Sequence, residues 1–244
     1  MRPLSAPELL DIWEAGARQP LAARALWLLS AAQPDTSYEA LAQLPIGERD
    51  AQLLALHEGL FGAQLSAVAA CPQCGERLQL ALNRSDLDLS AGAAPGPLAL
   101  EFDRYSIRYR LPSSADLLAL TGCDSVEAGR RLLLSRCIQS VCCDGGDQAV
   151  EALPDGVIAA LTAHMAQADP QADLQLDLSC PACRHRWLAA FDMITFLWNE
   201  IDSWARRMLR EVHALASAYG WSEADILSMS ATRRHLYLDL IGAA

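Results

Sequence analysis

Two short cysteine motifs, Cys71-Pro72-Gln73-Cys74 and Cys180-Pro181-Ala182-Cys183, restrict this chain more than any other feature. Each holds two thiols at the spacing with which one turn offers adjacent corners of a tetrahedron. Four soft donors of this kind are what zinc takes in its closed, structural sites. Pro72 and Pro181 fix backbone torsion in each turn, and Gly75 permits a positive φ directly after the first. Both motifs are flanked by period-two patterns, the signature of strands. Leu65 to Ala70 and Arg77 to Leu82 surround the first. Leu174, Leu176 and Leu178, followed by Arg186 to Phe191, surround the second. Aligning the first cysteines lays Leu65 over Leu174 and Arg77 over Arg186. The chain therefore carries two strand–knuckle–strand hairpins. The metal ligands predicted are Cys71, Cys74, Cys180 and Cys183 on one structural zinc, in a ribbon split by a long insertion. Loop-closure cost grows only logarithmically with length, so the separation is tolerable.

Other uses of the thiols fit less well. A redox dithiol sits at a helix N-terminus, which lowers its pKa, whereas strands follow both motifs here. A catalytic zinc keeps a position open and recruits His or a carboxylate, whereas four thiolates close the shell. His185 lies two residues beyond Cys183 and is read as decorating the hairpin. Cys123, Cys137 and the pair Cys142-Cys143 repeat neither knuckle and are read as buried apolar thiols.

The text on either side of the hairpins is helical. Ser5 with Glu8 three residues on, and Pro7 between them, opens a helix carrying Leu9, Leu10, Trp13 and Ala17 on one face. Further helices are predicted from Leu21 through Leu29 and from Tyr38 or Gly47 up to Phe61-Gly62, with Trp13 and Trp27 packed in the core. After Phe191, residues Met193, Leu197, Ile201, Trp204, Met208, Val212, Leu215 and Tyr219 step by three or four, giving one long apolar stripe stopped at Gly220. Its acids Asp192, Glu200, Asp202 and Glu211 read as a wet face beside Arg206, Arg207 and Arg210. Shorter helices follow at Ser222 and from Ala231 to Ile241. The stretch between the knuckles begins with a connector from Asn83 to Pro97. A strand pair from Leu98 to Leu111, a short helix opened by Pro112-Ser113-Ser114, and helices from Glu127 to Val141 and from Asp155 to Ala168 complete it. Between Asp144 and Asp177 there is no arginine, so this part presents an acidic, solvated face.

The fold class predicted is α+β and predominantly α-helical, with an α/β insertion between the two knuckles. Its parts are an N-terminal helical region over 1–62, the zinc ribbon over 63–82 and 172–191, the inserted region over 83–171, and a C-terminal helical region over 192–244. A formal charge of −11 argues against general binding to a phosphate backbone. No run approaches bilayer length, and the start lacks the apolar core of a secretion signal, so the cytoplasm is the expected compartment. No phosphate-binding loop, G-x-S-x-G, H-E-x-x-H or Ser/His/Asp pattern is present, and no enzyme is expected.

Three segments together resemble the baseplate hub assembly chaperone and baseplate-associated proteins of contractile phage tails and contractile injection systems. They are the opening Leu9-Leu10-Asp11-Ile12-Trp13-Glu14, the paired knuckles, and the ending Ala218-Tyr219-Gly220-Trp221-Ser222-Glu223-Ala224-Asp225-Ile226-Leu227 with Arg233-Arg234 and Tyr237-Leu238. The resemblance implies a non-enzymatic role in building or completing a baseplate in the bacterial host cytoplasm. Its partners would be other baseplate or hub proteins, met through the long helix and the last two helices, including Arg233 and Arg234. The competing reading is a zinc-ribbon module binding nucleic acid or acting in regulation, which needs a basic face from Arg77, Arg84, Arg184 and Arg186. An enzyme with an unrecognised site in the insertion is a third.

Overall fold

One helix holds the molecule together. The computed structural model describes residues 1–87 and 98–242, and within them α9 (Met193–Tyr219) runs unbroken for 27 residues. Asp192 caps its start by accepting from the Thr195 amide at 2.6 Å, and Gly220 ends it in the left-handed conformation at φ 71°. That is the helix stop a glycine provides without a Cβ penalty. The stripe predicted from spacing divides between two hydrophobic clusters. Met193, Ile194, Leu197, Trp198 and Ile201 enter the larger one, while Ala205, Met208, Val212 and Leu215 enter a terminal one.

The larger core is built with α1 (Ala6–Gly16), α2 (Leu21–Ala32), α3 (Tyr38–Ala42) and α4 (Ile46–Phe61). The capping box forms as expected, with the Glu8 carboxylate accepting from the Ser5 hydroxyl at 2.7 Å and from the Ser5 amide at 2.9 Å. α2 is the most deeply embedded element, with Ala25, Leu26, Leu28 and Leu29 fully buried. Gly16 brings α1 against the indole of Trp198, where any Cβ would collide. Trp13 is half-buried between both clusters and donates its indole N–H to Asp202 at 3.0 Å. Trp27, expected in the core, is half-buried.

Three antiparallel sheets follow. Hairpin β1 (Gln64–Ala70) and β2 (Arg77–Asn83) and hairpin β7 (Gln175–Ser179) and β8 (Arg186–Ala190) are each two-stranded. Their bases reach the larger core through Leu65 and Leu174. Between them lies a four-stranded sheet of β3 (Leu98–Phe102), β4 (Tyr105–Tyr109), β5 (Ile138–Cys143) and β6 (Gly146–Asp147). With α7 (Val126–Cys137) and α8 (Asp155–Ala168), it surrounds a separate core of Tyr105, Ile107, Tyr109, Val141, Val157 and Leu161. The helix expected from Glu127 to Val141 stops at Cys137, and the chain turns into β5. The open edge of β4 pairs Ile107 with Val141 and Tyr109 with Ile138, and sheet pairing outweighs helical periodicity there. Of the predicted connector, Arg84–Leu87 forms the short helix α5; the rest, 88–97, lies outside the described residues.

The inserted sheet is joined to the helical body by a buried polar seam. α6 (Ser114–Ala119) is capped at Ser113, which also bridges to Pro45 at the head of α4. Arg49, itself buried, donates to Ser114 at 3.2 Å and to Asp50 at 2.7 Å. Asp169 accepts from the Gly47 amide at 3.0 Å. Asp116 is fully buried and accepts from Arg110 at 2.5 and 2.7 Å, from Arg136 at 2.8 Å, and from the Ser113 amide and hydroxyl at 2.9 Å.

The last helices, α10 (Glu223–Leu227) and α11 (Ala231–Gly242), fold back on the end of α9. Trp221 stacks on Tyr219 with centroids 4.5 Å apart and meets Tyr237 edge-on at 4.8 Å, fixing the reversal. Glu211 is buried and pairs with buried Arg234 at 3.2 Å. These two belong to the interior, correcting their placement on a wet face and a partner surface. The pairing crosses 23 residues, beyond the reach of helical spacing rules.

Candidate metal centre

The two knuckles have the same local design. In the first, the Cys71 amide donates to Glu76 O at 2.8 Å and the Gly75 amide to Cys71 O at 2.9 Å. In the second, Cys180 N–H donates to His185 O at 2.9 Å and Arg184 N–H to Cys180 O at 2.9 Å. The residue after each second cysteine takes a positive φ, 76° at Gly75 and 62° at Arg184. Glycine adopts this freely, whereas Arg184 does so against the clash of its own Cβ. The flanking strands keep the two turns on stems: Ala70 pairs with Arg77, and Ser179 with Arg186.

The stems deliver all four sulfurs to one point. Cys71 and Cys183, 112 residues apart in sequence, have Sγ atoms 3.6 Å apart. Cys74 and Cys180, separated by 106 residues, are also at 3.6 Å. All four sulfurs lie within 4.8 Å of one another, and among the described residues this is the only cluster of metal-type donors. A tetrahedron with Zn–S bonds of about 2.3 Å has S···S edges of about 3.8 Å, so the donor set fits a zinc-sized ion. Cys71 and Cys180 are buried, Cys183 is half-buried and Cys74 is exposed.

Electrostatics within the cluster are uneven. Burial raises the Cys71 thiol, but amide hydrogen bonds from Cys74 and Gln73 and the neighbouring sulfurs outweigh it and bring it to about 7. At Cys74 the Glu76 amide lowers the pKa, yet Cys183, burial, Cys180 and Cys71 together push it up to about 12. Four adjacent sulfurs cannot all ionise without a cation among them, and a thiolate-binding metal removes that conflict.

His185 is not one of the four donors: its ring stacks on Trp187 at 5.9 Å and its carbonyl serves the knuckle. The remaining cysteines divide. Cys137 is buried, and burial, with Asp116 nearby, pushes its thiol up to about 11. Cys123, Cys142 and Cys143 are only half-buried, correcting the expectation for those three: Cys123 lies in the turn between α6 and α7, and Cys142 and Cys143 are adjacent on β5, where neighbours cannot both face the core. Of the four arginines of the basic face required for nucleic acid, two are paired with acids: Arg84 with Glu58, and Arg186 with Asp177 at 2.6 Å.

Two groups escaped the sequence reading. The polar seam left a faint trace, the capping pattern Ser113-Ser114-Ala115-Asp116, but Arg110, Arg136 and Asp169 carry no local mark. His57 is fully buried between the rings of Phe61 and Phe196, each at 5.6 Å, and bonds to Glu200 on α9. Nothing in the spacing of either residue foretells that contact.

A model of the T4 bacteriophage base plate protein family matches residues 29–198, a span that contains both knuckles and the whole insertion. No curated protein and no solved structure matches. The matched span exceeds half of the 244 residues, and the chain belongs to the T4 bacteriophage base plate protein family.

Proposed function

We propose that this base plate family member is a non-catalytic assembly or scaffolding protein of a contractile tail or injection-system baseplate, acting chaperone-like on other baseplate or hub proteins. One structural zinc on Cys71, Cys74, Cys180 and Cys183 fastens its halves. The observation that carries the metal part is the meeting of four sulfurs within 4.8 Å from knuckles more than a hundred residues apart. Zinc suits the site better than other ions because it favours tetrahedral thiolate shells and has no redox chemistry to perform. Family membership supports the assembly role.

In this reading the split ribbon, residues 63–82 and 172–191, acts as a joint between the helical regions over 1–62 and 192–244 and the insertion over 83–171. Assembly takes place in the host cytoplasm, and the chain enters the particle with its partners. The terminal helices supply one partner surface. Leu236 and Leu240 stand one turn apart on α11 and are 61% and 60% exposed, the pattern of an uncovered helix face. No helix among the described residues is long and apolar enough to cross a membrane.

The test has two parts. Elemental analysis of the purified protein is expected to give about one zinc per chain; metal-free protein with four freely reacting thiols overturns the metal centre. Co-expression with the neighbouring tail genes is expected to yield a stable complex. A chain that remains alone beside every baseplate component overturns the assembly role.

A further inference from the structure

A cleft opens beside the two hairpins, bounded by β1, by the end of β8 and by α9. Its volume is about 620 Å³. Ser66, Ala67 and Val68 of β1 line one side and Ala190 of β8 another, while Phe191, Phe196, Asn199 and Ser203 line the remainder along α9.

Hydrogen-bond phase shows what the two strand edges offer. On β1, the bonds Cys71 N–H to Glu76 O and Arg84 N–H to Ala63 O place the odd-numbered residues in ladder pairs with β2. Antiparallel pairing alternates, so the amides and carbonyls of Ser66, Val68 and Ala70 point away from β2. On β8, the bonds Cys180 N–H to His185 O and Phe191 N–H to Leu174 O set the same phase, turning those of Arg186, Leu188 and Ala190 outward. Among the described residues no strand pairs with either edge, each sheet having two strands only.

Protein edges are usually guarded by charge, proline or a bulge. The outer positions of β1, Ser66, Val68 and Ala70, have none of these, and Val68 and Leu188 are 55% and 65% exposed. Of the charged residues lining the cleft, Arg207 is exposed, while Glu200 is engaged by His57, and Asp192 by the Thr195 amide.

We infer that this cleft takes an extended segment of a protein partner, which adds a strand between β1 and β8 and unites the two hairpins through its own backbone. Recognition is by main-chain hydrogen bonds to Ser66, Val68, Leu188 and Ala190, with small or apolar side chains set against Phe191 and Phe196 and an acidic residue near Arg207. That the segment belongs to a baseplate component rests on the proposed assembly role; the cleft itself requires only the fold.

The test uses the full-length protein and an array of ten-residue peptides tiling the tail proteins encoded beside it. Val68→Pro removes an outward amide without touching the β1–β2 ladder, and Val68→Lys leaves the backbone whole while guarding the edge. A bound peptide is expected to protect the amides of Ser66, Val68, Leu188 and Ala190 from hydrogen exchange, with those of Leu65, Ala67 and Ala69 unchanged. Both variants are expected to bind it about tenfold more weakly. Binding that both variants retain, protection elsewhere, or no peptide bound at millimolar concentration overturns the inference. So does self-association of the chain that Val68→Lys abolishes, because the occupant is then a second copy. A baseplate complex that survives Val68→Lys defeats the cleft and leaves the assembly role standing; failure of the wild-type chain to form one defeats the assembly role.

Discussion

The insertion is tied to the helical body in two places, and the ties work by opposite means. At the knuckles, four sulfurs converge and call for a cation from outside. At the seam, Asp116 pairs with Arg110 and Arg136 and Arg49 with Asp50, charges that the chain already carries, while Asp169 takes the Gly47 amide. With the proposed zinc, the first tie depends on metal supply. The second is always present and responds to pH. A chain whose hairpins have little core of their own needs the first, whereas the inserted sheet has an apolar interior and needs the second only to set its orientation.

The largest effect expected is from breaking the sulfur tie. If the proposed zinc is bound, chelation or Cys71→Ser is expected to remove a contribution on the order of 10 kcal/mol to the folding of the hairpins. Hydrogen exchange is expected to show β1, β2, β7 and β8 losing protection while the sheet β3–β6 and helix α2 retain theirs. Simultaneous collapse of all regions would show that the two ties are not separable.

Breaking the seam ranks second. Asp116→Ala strips Arg110 and Arg136 of a fully buried carboxylate and is expected to cost about 3–5 kcal/mol in thermal or urea unfolding. Zinc content should not change, which a parallel metal determination checks.

The seam also has a pH signature. Arg110, Arg136 and the Ser113 donors overcome burial and hold Asp116 well below the ordinary carboxylate range. Its stabilisation is present above a pH of about 4 and is lost as pH falls through the depressed value. Asp50 is the reverse: burial, opposed by Arg49, raises it to about 6. The folded chain therefore holds a proton that the unfolded chain has released. Stability from Asp50 is complete below a pH of about 4 and declines as pH rises through about 6, by an amount on the order of 2 kcal/mol. Urea titrations from pH 4 to 7 should show this decline, and Asp50→Asn should flatten it.

The smallest effect sharpens the comparison between the knuckles themselves. Arg184 occupies at φ 62° the place that Gly75 fills at φ 76°. Arg184→Gly is expected to relieve about 1 kcal/mol of backbone strain, and Gly75→Ala to add a similar amount. Metal-release rates under competition with a chelator give the ordering, with the glycine variant slowest.

The same contrast explains what could be read without coordinates. A knuckle is a local object, and proline, spacing and flanking alternation are all written within twenty residues, so each hairpin follows from pattern; the meeting of Cys71 with Cys183 across 112 residues follows only from the chemistry of two half-sites that complete one four-thiol shell. The capping box at Ser5 and the stop at Gly220 are local for the same reason. The seam is not: Gly47 reaches Asp169 across 122 residues and Arg49 reaches Ser114 across 65, with no periodicity connecting them. Glu211 misled because helical spacing describes neighbours on its own helix and is blind to Arg234 on another. Ile138 to Val141 misled because a strand on the neighbouring edge, not the segment's own period, decided its state.

A last consequence belongs to α9. At 27 residues it is a rod about 40 Å long, planted in the larger core at one end and in the terminal cluster at the other. One unbroken backbone therefore sets the spacing between the two clusters, and the last two helices and the floor of the hairpins share a single ruler.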